Sequence, residues 1–293
     1  MDLNARFDLA ALAKGRTKRK VIEFREIKPR LASEQAFYRI IMSVLVEATS
    51  RRAEILEAAA ATRRELIGDA ATIGAIMAEM RAAMSQAASL ATGPLMSLFA
   101  NDARRHGETW IGQVNRLIGV DLSAVVRSSD VQTILQLEVQ KSVALIRGLS
   151  DDVAKRIEFQ VIDLVSQGKS QKDIAAALAE TAGFTRKRAM FIARDQAASF
   201  NGALNQIRQE QAGVTSYIWR TVGDQRVRPA HRLRNGQRFR WDSPPSDGAP
   251  GRPPNCRCTA QAVLDLDETP RSGRARASRA GLSAVASALG IGL

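Results

Sequence analysis

Apolar residues recur every three or four positions between residues 33 and 207, the spacing that places side chains on one face of an α-helix. The pattern begins with Phe37, Ile41 and Val44. Its longest regular stripe comprises Ala189, Ala193, Ala197, Phe200, Leu204 and Ile207. Because such stripes stabilise helices by packing against one another, we predict a helical bundle or hairpin over this region.

Helix ends in this region are predicted from glycines and capping residues. A first long helix is expected over residues 33–67. Later helices are expected to end at Gly148, Gly168 and Gly183. Ser170 is followed three residues later by Asp173, a capping-box pattern that predicts the start of a short helix ending near Thr181.

After residue 213 the helical spacing gives way to alternation, which is typical of half-buried strands. Tyr217 and Trp219 form one alternating pair, and Phe239 and Trp241 form another. We predict that these two strands pair with the four rings on one face, and that residues 259–264 add a closing strand. The predicted fold class is therefore α+β, with a long, mainly helical N-terminal region followed by a small C-terminal α+β module that contains a short antiparallel sheet.

This pattern divides the chain into four predicted regions. They are a basic N-terminal arm over residues 1–32, a helical domain over 33–184, an α+β domain over 185–264 and a basic flexible tail over 265–293. The arm and the tail are rich in Arg and Lys and are interpreted as poor in core residues. We expect both to be mobile unless they dock on a partner, because ordering them costs conformational entropy.

Composition and charge restrict the class of protein. The chain has 293 residues, 45% of them hydrophobic, so it can bury a sizeable core. Its net charge of +13 favours a polyanion or an acidic protein surface as partner. Its two cysteines, one residue apart, favour a reducing compartment. The Ala-rich stretch over residues 70–91 contains Glu79 and Arg81, so we expect a soluble helix there and not a membrane span.

Three polar blocks follow one another in the predicted module. They are Gly223–His231 (GDQRVRPAH), Asn235–Phe239 (NGQRF) and Pro253–Cys258 (PPNCRC), preceded by the helical stretch Arg188–Asp195 (RAMFIARD). This ordered series resembles the Mu F-like domain of tailed-phage head morphogenesis proteins, over residues 185–264. One position departs from the family, since Gln196 stands where an acidic residue is common.

The resemblance implies a minor head protein with a structural role and no enzymatic activity. Such a protein associates with the portal protein and with capsid or scaffold protein, is present in several copies and is packaged with the genome. It acts in head assembly and DNA delivery without a membrane, in the head interior near the portal vertex, after assembly in the host cytoplasm. The alternative is a basic DNA-binding or nuclease-like protein acting free in the infected cell.

Arginines concentrate around the predicted strand that contains Phe239. The set comprises Arg226, Arg228, Arg234, Arg238 and Arg240. Their charge favours contact with the phosphates of double-stranded DNA, without sequence preference and with strong dependence on salt. A portal-facing or solvated surface explains the same charge, and the sequence leaves both interpretations open.

The same module contains candidate metal ligands. Asp224, His231, Cys256 and Cys258 offer the four donors of one tetrahedral zinc site. In the alternative interpretation Asp224 caps a turn, His231 is half-buried and the cysteines are small core residues. We expect the four residues to converge in either case. Structural zinc is the one cofactor suggested by the sequence.

Catalytic arrangements fit the module less well. The pattern of zinc deaminases needs His-x-Glu and Cys-x-x-Cys, whereas His231 is followed by Arg-Leu and the cysteines are one residue apart. A Cys/His nucleophile is compatible with the composition, but no third residue that would orient His231 is evident. No catalytic residue is therefore predicted.

Overall fold

The structure is a computed structural model that describes residues 7–46, 50–64, 70–126 and 128–267. Its helices are α1 (Leu9–Ala13), α2 (Leu31–Leu45), α3 (Arg52–Arg64), α4 (Ala70–Leu90), α5 (Thr92–Ile118), α6 (Gln132–Ser166), α7 (Gln171–Gln211) and α8 (Pro229–Arg234), with a 3₁₀ turn at Ser128–Val131. Its strands are β1 (Val21–Glu23), β2 (Ser216–Arg220), β3 (Arg238–Arg240) and β4 (Thr259–Asp265). The architecture is α+β, which confirms the predicted fold class.

Helices α2 to α7 share one apolar core. The predicted stripe residues Phe37, Ile41, Ala189 and Phe200 are all buried in it, and Ile207 packs at its margin. The described residues between 33 and 183 contain no strand, as predicted. None of the described helices is long and apolar enough to cross a membrane.

Two of the three predicted glycine helix ends are wrong. Gly148 lies inside α6 and Gly183 lies inside α7, so both helices run on unbroken. A glycine costs a helix about 1 kcal/mol relative to alanine, whereas burying one large aliphatic side chain contributes about 1.5–3 kcal/mol. The buried side chains on either side of Gly148, among them Ile146 and Leu149, outweigh the glycine.

The third predicted helix end and the capping box are confirmed. Gly168 has a φ of +64° in the turn that follows α6, a backbone conformation that glycine adopts without strain. Ser170 then caps α7, since its hydroxyl accepts a hydrogen bond from the backbone N–H of Asp173. The carboxylate of Asp173 accepts one in return from the backbone N–H of Ser170 at 3.0 Å. The described residues of the predicted first helix form two helices, α2 and α3.

The four strands form one antiparallel sheet in the order β1-β4-β2-β3. Strand β2 pairs with β3 so that Tyr217 lies opposite Phe239, and the closing strand β4 pairs with β2. The ring of Tyr217 lies 4.2 Å from that of Trp241 and 6.0 Å from that of Phe239, centroid to centroid. Trp219 contacts Phe239 at 5.9 Å. The predicted strand pair and its shared aromatic face are therefore confirmed.

The prediction that the N-terminal arm is poor in core residues is wrong. Leu9, Ile22 and Phe24 are buried, and the ring of Phe24 lies 4.8 Å from that of Trp110. Strand β1 covers the edge of β4, which would otherwise expose unpaired backbone groups. The basic side chains of residues 7–32 are exposed, whereas Leu9, Ile22 and Phe24 pack inward. The predicted tail is described only to residue 267, and the rest of it lies outside the described residues.

Candidate functional site

The blocks Gly223–His231 and Pro253–Cys258 meet beside the sheet. Helix α8 places His231 over β2, where the imidazole contacts the indole of Trp219 edge-on at 5.0 Å. Pro229 occupies the first turn of α8, where its missing N–H is no loss. The two cysteines lie in the segment that leads into β4. Local sequence therefore builds each half, and the sheet brings the halves together.

His231, Cys256 and Cys258 form a compact cluster, here called the Cys–His cluster. The Nδ1 atom of His231 lies 3.5 Å from Sγ of Cys256 and 3.6 Å from Sγ of Cys258. All three donor atoms lie within 4.8 Å of one another. The residues are only 2%, 2% and 5% exposed, respectively, so the cluster is largely buried.

A carboxylate orients the imidazole from its other side. Asp247 lies in the Pro-rich loop, and its Oδ2 atom is 3.0 Å from Nε2 of His231. Its Oδ1 accepts a hydrogen bond from the Arg234 guanidinium at 2.6 Å. Partial burial raises the pKa of Asp247, but the hydrogen bonds from His231 and Arg234 lower it more, so the carboxyl stays ionised. An ionised acceptor at Nε2 holds the hydrogen of a neutral imidazole there and turns the Nδ1 lone pair towards the sulfurs.

Close contacts with α7 hold the cysteine loop in place. The backbone N–H of Asn255 donates to the carboxylate of Asp195 on α7, while Asn255 itself has a φ of +54°. Gly202 and Gly251 let the helix and the loop approach each other, since a Cβ on Gly202 would lie 2.8 Å from the carbonyl oxygen of Pro250. The loop position therefore depends on residues that are far away in the sequence.

The two thiols of the cluster share charge unequally. A hydrogen bond from the thiol of Cys258 lowers the pKa of Cys256, with backbone N–H groups of Cys258 and Gly251 adding to the effect. The same contact raises the pKa of Cys258. In the absence of a metal, the contact between the two thiols therefore favours a negative charge on Cys256 over one on Cys258.

The structure brings together three of the four predicted ligands. Asp224 stays apart, since its carboxylate accepts hydrogen bonds from the Arg257 guanidinium at 2.7 Å and from the backbone N–H of Arg226 at 3.0 Å. That role matches the alternative interpretation, in which Asp224 caps a turn. The expectation that all four residues converge is therefore correct only for His231 and the cysteines.

Sequence reasoning missed Asp247, and the expectation that no third residue orients His231 is wrong. Asp247 precedes a glycine in a loop rich in proline, and aspartate is a common residue in such turns. Its separation of 16 residues from His231 matches no short motif. The sequence indicated only that both nitrogens of a buried histidine need hydrogen-bond partners. That requirement does not identify which residue provides the second partner.

The cluster lines a cleft of about 240 Å³ that is otherwise basic. The remaining residues that line it are Arg226, Val227, Arg228, Asn255 and Arg257. Two soft sulfur donors and an imidazole form a ligand set for zinc, and the same three groups with Asp247 also have the connectivity of a Cys-His-Asp nucleophile. The low exposure of both sulfurs favours metal binding over attack on an external substrate.

Most of the predicted phosphate-contacting arginines are engaged within the chain. Arg234 pairs with Asp247, and Arg238 lies 3.2 Å from Asp265. Arg240 makes two contacts of 3.0 Å with Asp242. Arg228 lines the cleft while donating to the carbonyl oxygen of Pro254 at 2.6 Å, and Arg226 lines it as well. The positive charge that faces the cleft therefore comes from Arg226, Arg228 and Arg257. The β3 residues Arg238 and Arg240 do not line it.

The sequence around this site matches a known protein family. Residues 155–261 match the family model described as phage Mu protein F like protein. Over these residues, about a third of the chain, this protein is similar to Mu F-like proteins. The match begins inside α6, and it includes α7, β2, α8, β3 and every residue of the Cys–His cluster. It confirms the resemblance recognised in the sequence, although that resemblance was placed over residues 185–264.

A curated relative extends the similarity beyond the Mu F-like domain. An uncharacterised protein of Haemophilus influenzae is 36% identical over 186 residues, which is 63% of this chain and 41% of that protein. The chain thus spans about two fifths of the length of the relative it matches. No solved structure matches this chain.

Proposed function

We propose that this chain is a minor head protein that acts in phage head assembly and contacts the portal protein and the inner capsid. The observation that carries the proposal is the Mu F-like domain over residues 155–261, a domain that suggests head morphogenesis. Packaging with the genome and a role in DNA delivery belong to the same proposal. The function would be exercised through binding and not through chemistry on a substrate.

The surface of the Mu F-like domain supports a protein partner. Phe159 and Ile162 on α6 are 74% and 53% exposed, and Phe184, Met190 and Phe191 on α7 are also exposed. Large apolar side chains exposed on neighbouring helices typically mark a protein contact. The Arg156 guanidinium lies 4.7 Å from the centre of the Phe184 ring and 4.0 Å from the Glu180 carboxylate, so charged groups border this apolar surface.

Purified heads provide the direct test. Mass spectrometry should find the chain in stoichiometric amounts in heads and in complexes captured with the portal protein of the same phage. The substitution Phe159→Asp should weaken that capture. The matched control is Leu233→Asp, because Leu233 is 77% exposed but lies on α8.

The alternative, a basic DNA-binding or nuclease-like protein acting free in the cell, is favoured by the net charge of +13 and the basic cleft. The same head preparation separates the two functions. Absence of the chain from heads, together with nuclease activity or tight DNA binding of the free protein, would support the alternative. Stoichiometric presence in heads supports the assembly function.

A further inference from the structure

We propose that His231, Cys256 and Cys258 bind one Zn²⁺ ion, with Asp247 holding the imidazole in the ligating orientation. Neither the family match nor the relative assigns a metal to this domain. The proposal is independent of the head-assembly function, since a metal can stabilise the module whatever the module contacts.

The donor atoms of the Cys–His cluster are spaced as a zinc ion requires. Zinc bonds of about 2.3 Å to sulfur and about 2.0 Å to nitrogen, at a tetrahedral angle, separate sulfur from nitrogen by roughly 3.5 to 3.6 Å. The two observed separations from Nδ1 of His231 are 3.5 Å to Cys256 and 3.6 Å to Cys258. Both sulfurs therefore lie at the distance from Nδ1 that a common ion requires, and all three donor atoms lie within 4.8 Å of one another.

Hydrogen bonds pair the thiol of Cys258 with Cys256 and one thiol with the imidazole, and a metal would use the same three donor atoms. The Asp247 carboxylate is placed to accept the N–H of the imidazole at Nε2, and in that tautomer Nδ1 is an acceptor with one lone pair. One lone pair is satisfied by one thiol, yet two sulfurs lie equally close to it. A metal uses the same lone pair and both sulfurs together. The carboxylate–imidazole–metal arrangement is the usual second shell of zinc sites.

The charges around the cluster are consistent with a divalent cation. Two thiolates would be costly in so buried a place unless a cation lay between them. Arg234 is held by Asp247 and Arg257 is held by Asp224, at 2.6 and 2.7 Å. Arg226 and Arg228 also line the cleft and add positive charge there, but a guanidinium does not bridge two thiolates as a metal ion does. The pairing with Arg257 also explains why Asp224 is not the fourth ligand.

The fourth coordination position is assigned to the cleft. Three protein ligands leave one position of a tetrahedral ion open, and the cleft of about 240 Å³ that the ligands line is roomy enough for water. Zinc would also close the loop between His231 on α8 and the cysteines before β4. Removal of the metal should therefore loosen the sheet module while the helices stay folded.

The test uses the full chain, purified without added metal and titrated with zinc against a chromophoric chelator. We expect one zinc per chain, with affinity reduced by about 100-fold or more in Cys256→Ser, Cys258→Ser and His231→Gln. Asp247→Asn should reduce affinity by about 10- to 100-fold, because it disturbs only the orientation of the imidazole. The matched control Asp224→Asn should leave affinity unchanged within about twofold.

Cobalt substitution of the wild-type chain guards against variants that fail to fold. Tetrahedral Co²⁺ with thiolate-to-metal charge-transfer absorption supports the proposal, whereas an octahedral spectrum without that absorption overturns it. Failure of the wild-type chain to bind zinc overturns it as well. Binding that is lost in Asp224→Asn but kept in Cys256→Ser would overturn the ligand set.

Discussion

Helices α2 to α7 bury aliphatic stripes that include Ile41, Leu135 and Val139, whereas the sheet module buries Trp219 and Tyr217 among sulfur, imidazole and amide groups. The amide of Gln209 illustrates the second kind of core. Its Nε2 donates to the carbonyl oxygen of Ala260, and its Oε1 accepts from Nε1 of Trp241, both at 3.1 Å. Aliphatic packing has no preferred direction, but hydrogen bonds and ring contacts do.

We therefore expect the two regions to respond differently to the same kind of substitution. A helix stripe tolerates an internal glycine, as α6 and α7 demonstrate, because the apolar contacts on both sides compensate for it. The module depends on a few contacts with fixed geometry, which are lost together when one of them moves.

The largest expected effect comes from removing a buried ring in each region. Trp219→Ala and Phe99→Ala should each lower the free energy of unfolding by about 3–5 kcal/mol, as measured in urea. Only Trp219→Ala should also expose the cysteines, because Trp219 lies against His231. Thiol reagents should therefore modify Cys256 and Cys258 faster in that variant. Equal modification rates in the two variants would contradict the separation of the regions.

Measuring stability against pH tests the role of His106, a buried polar residue in the helical region. Burial lowers the pKa of His106 on α5, the hydrogen bond with Asn205 partly opposes this effect and the charge of Arg208 adds to it, so that the pKa is about 4. The unfolded chain then binds a proton that the folded chain does not, so stability falls as the pH falls from about 6.5 to about 4. Over this range, His106 lowers the free energy of unfolding by about 3 kcal/mol at most. His106→Gln should lose that part of the pH dependence, and superimposable curves for the two proteins would refute it.

Gly202→Ala should destabilise the chain by about 1–3 kcal/mol, since the new methyl group would overlap the carbonyl oxygen of Pro250. The matched control is Gly183→Ala in the same helix, where, among the described residues, no atom outside the adjacent helix backbone lies within 4 Å of the new Cβ. That control should gain about 0.5–1 kcal/mol from the better helix propensity of alanine. Thermal unfolding of both variants is the measurement, and equal shifts would contradict the close approach of α7 and the loop.

The smallest expected effect concerns DNA. We expect weak binding to double-stranded DNA without sequence preference, falling steeply with salt. Arg226→Gln, which removes a charge from the cleft, should reduce the salt slope by about 1. Arg240→Gln should change it less, because that side chain is already held by Asp242. Fluorescence anisotropy across a salt series measures both slopes, and a larger effect of Arg240→Gln would favour the strand face as the contact.

Much of the fold was predictable because its signals are local. The helical spacing of Ala189 to Ile207, the Ser170 capping box and the alternation of Tyr217 with Trp219 each depend on residues only a few positions apart. Backbone geometry imposes those periods on any chain that buries one face. The convergence of His231 with the cysteines was also predictable, but from a family resemblance and not from spacing.

Tertiary structure decided the features that depend on distant partners. The pairing of β1 with β4, the docking of Asp195 against the backbone of Asn255 and the choice of Asp247 over Asp224 beside His231 all join residues far apart in the chain. Local patterns do not encode such contacts, because many carboxylates and apolar residues of the sequence offer the same chemistry. The fold selects among them by which side chains it brings within a few ångströms of one another.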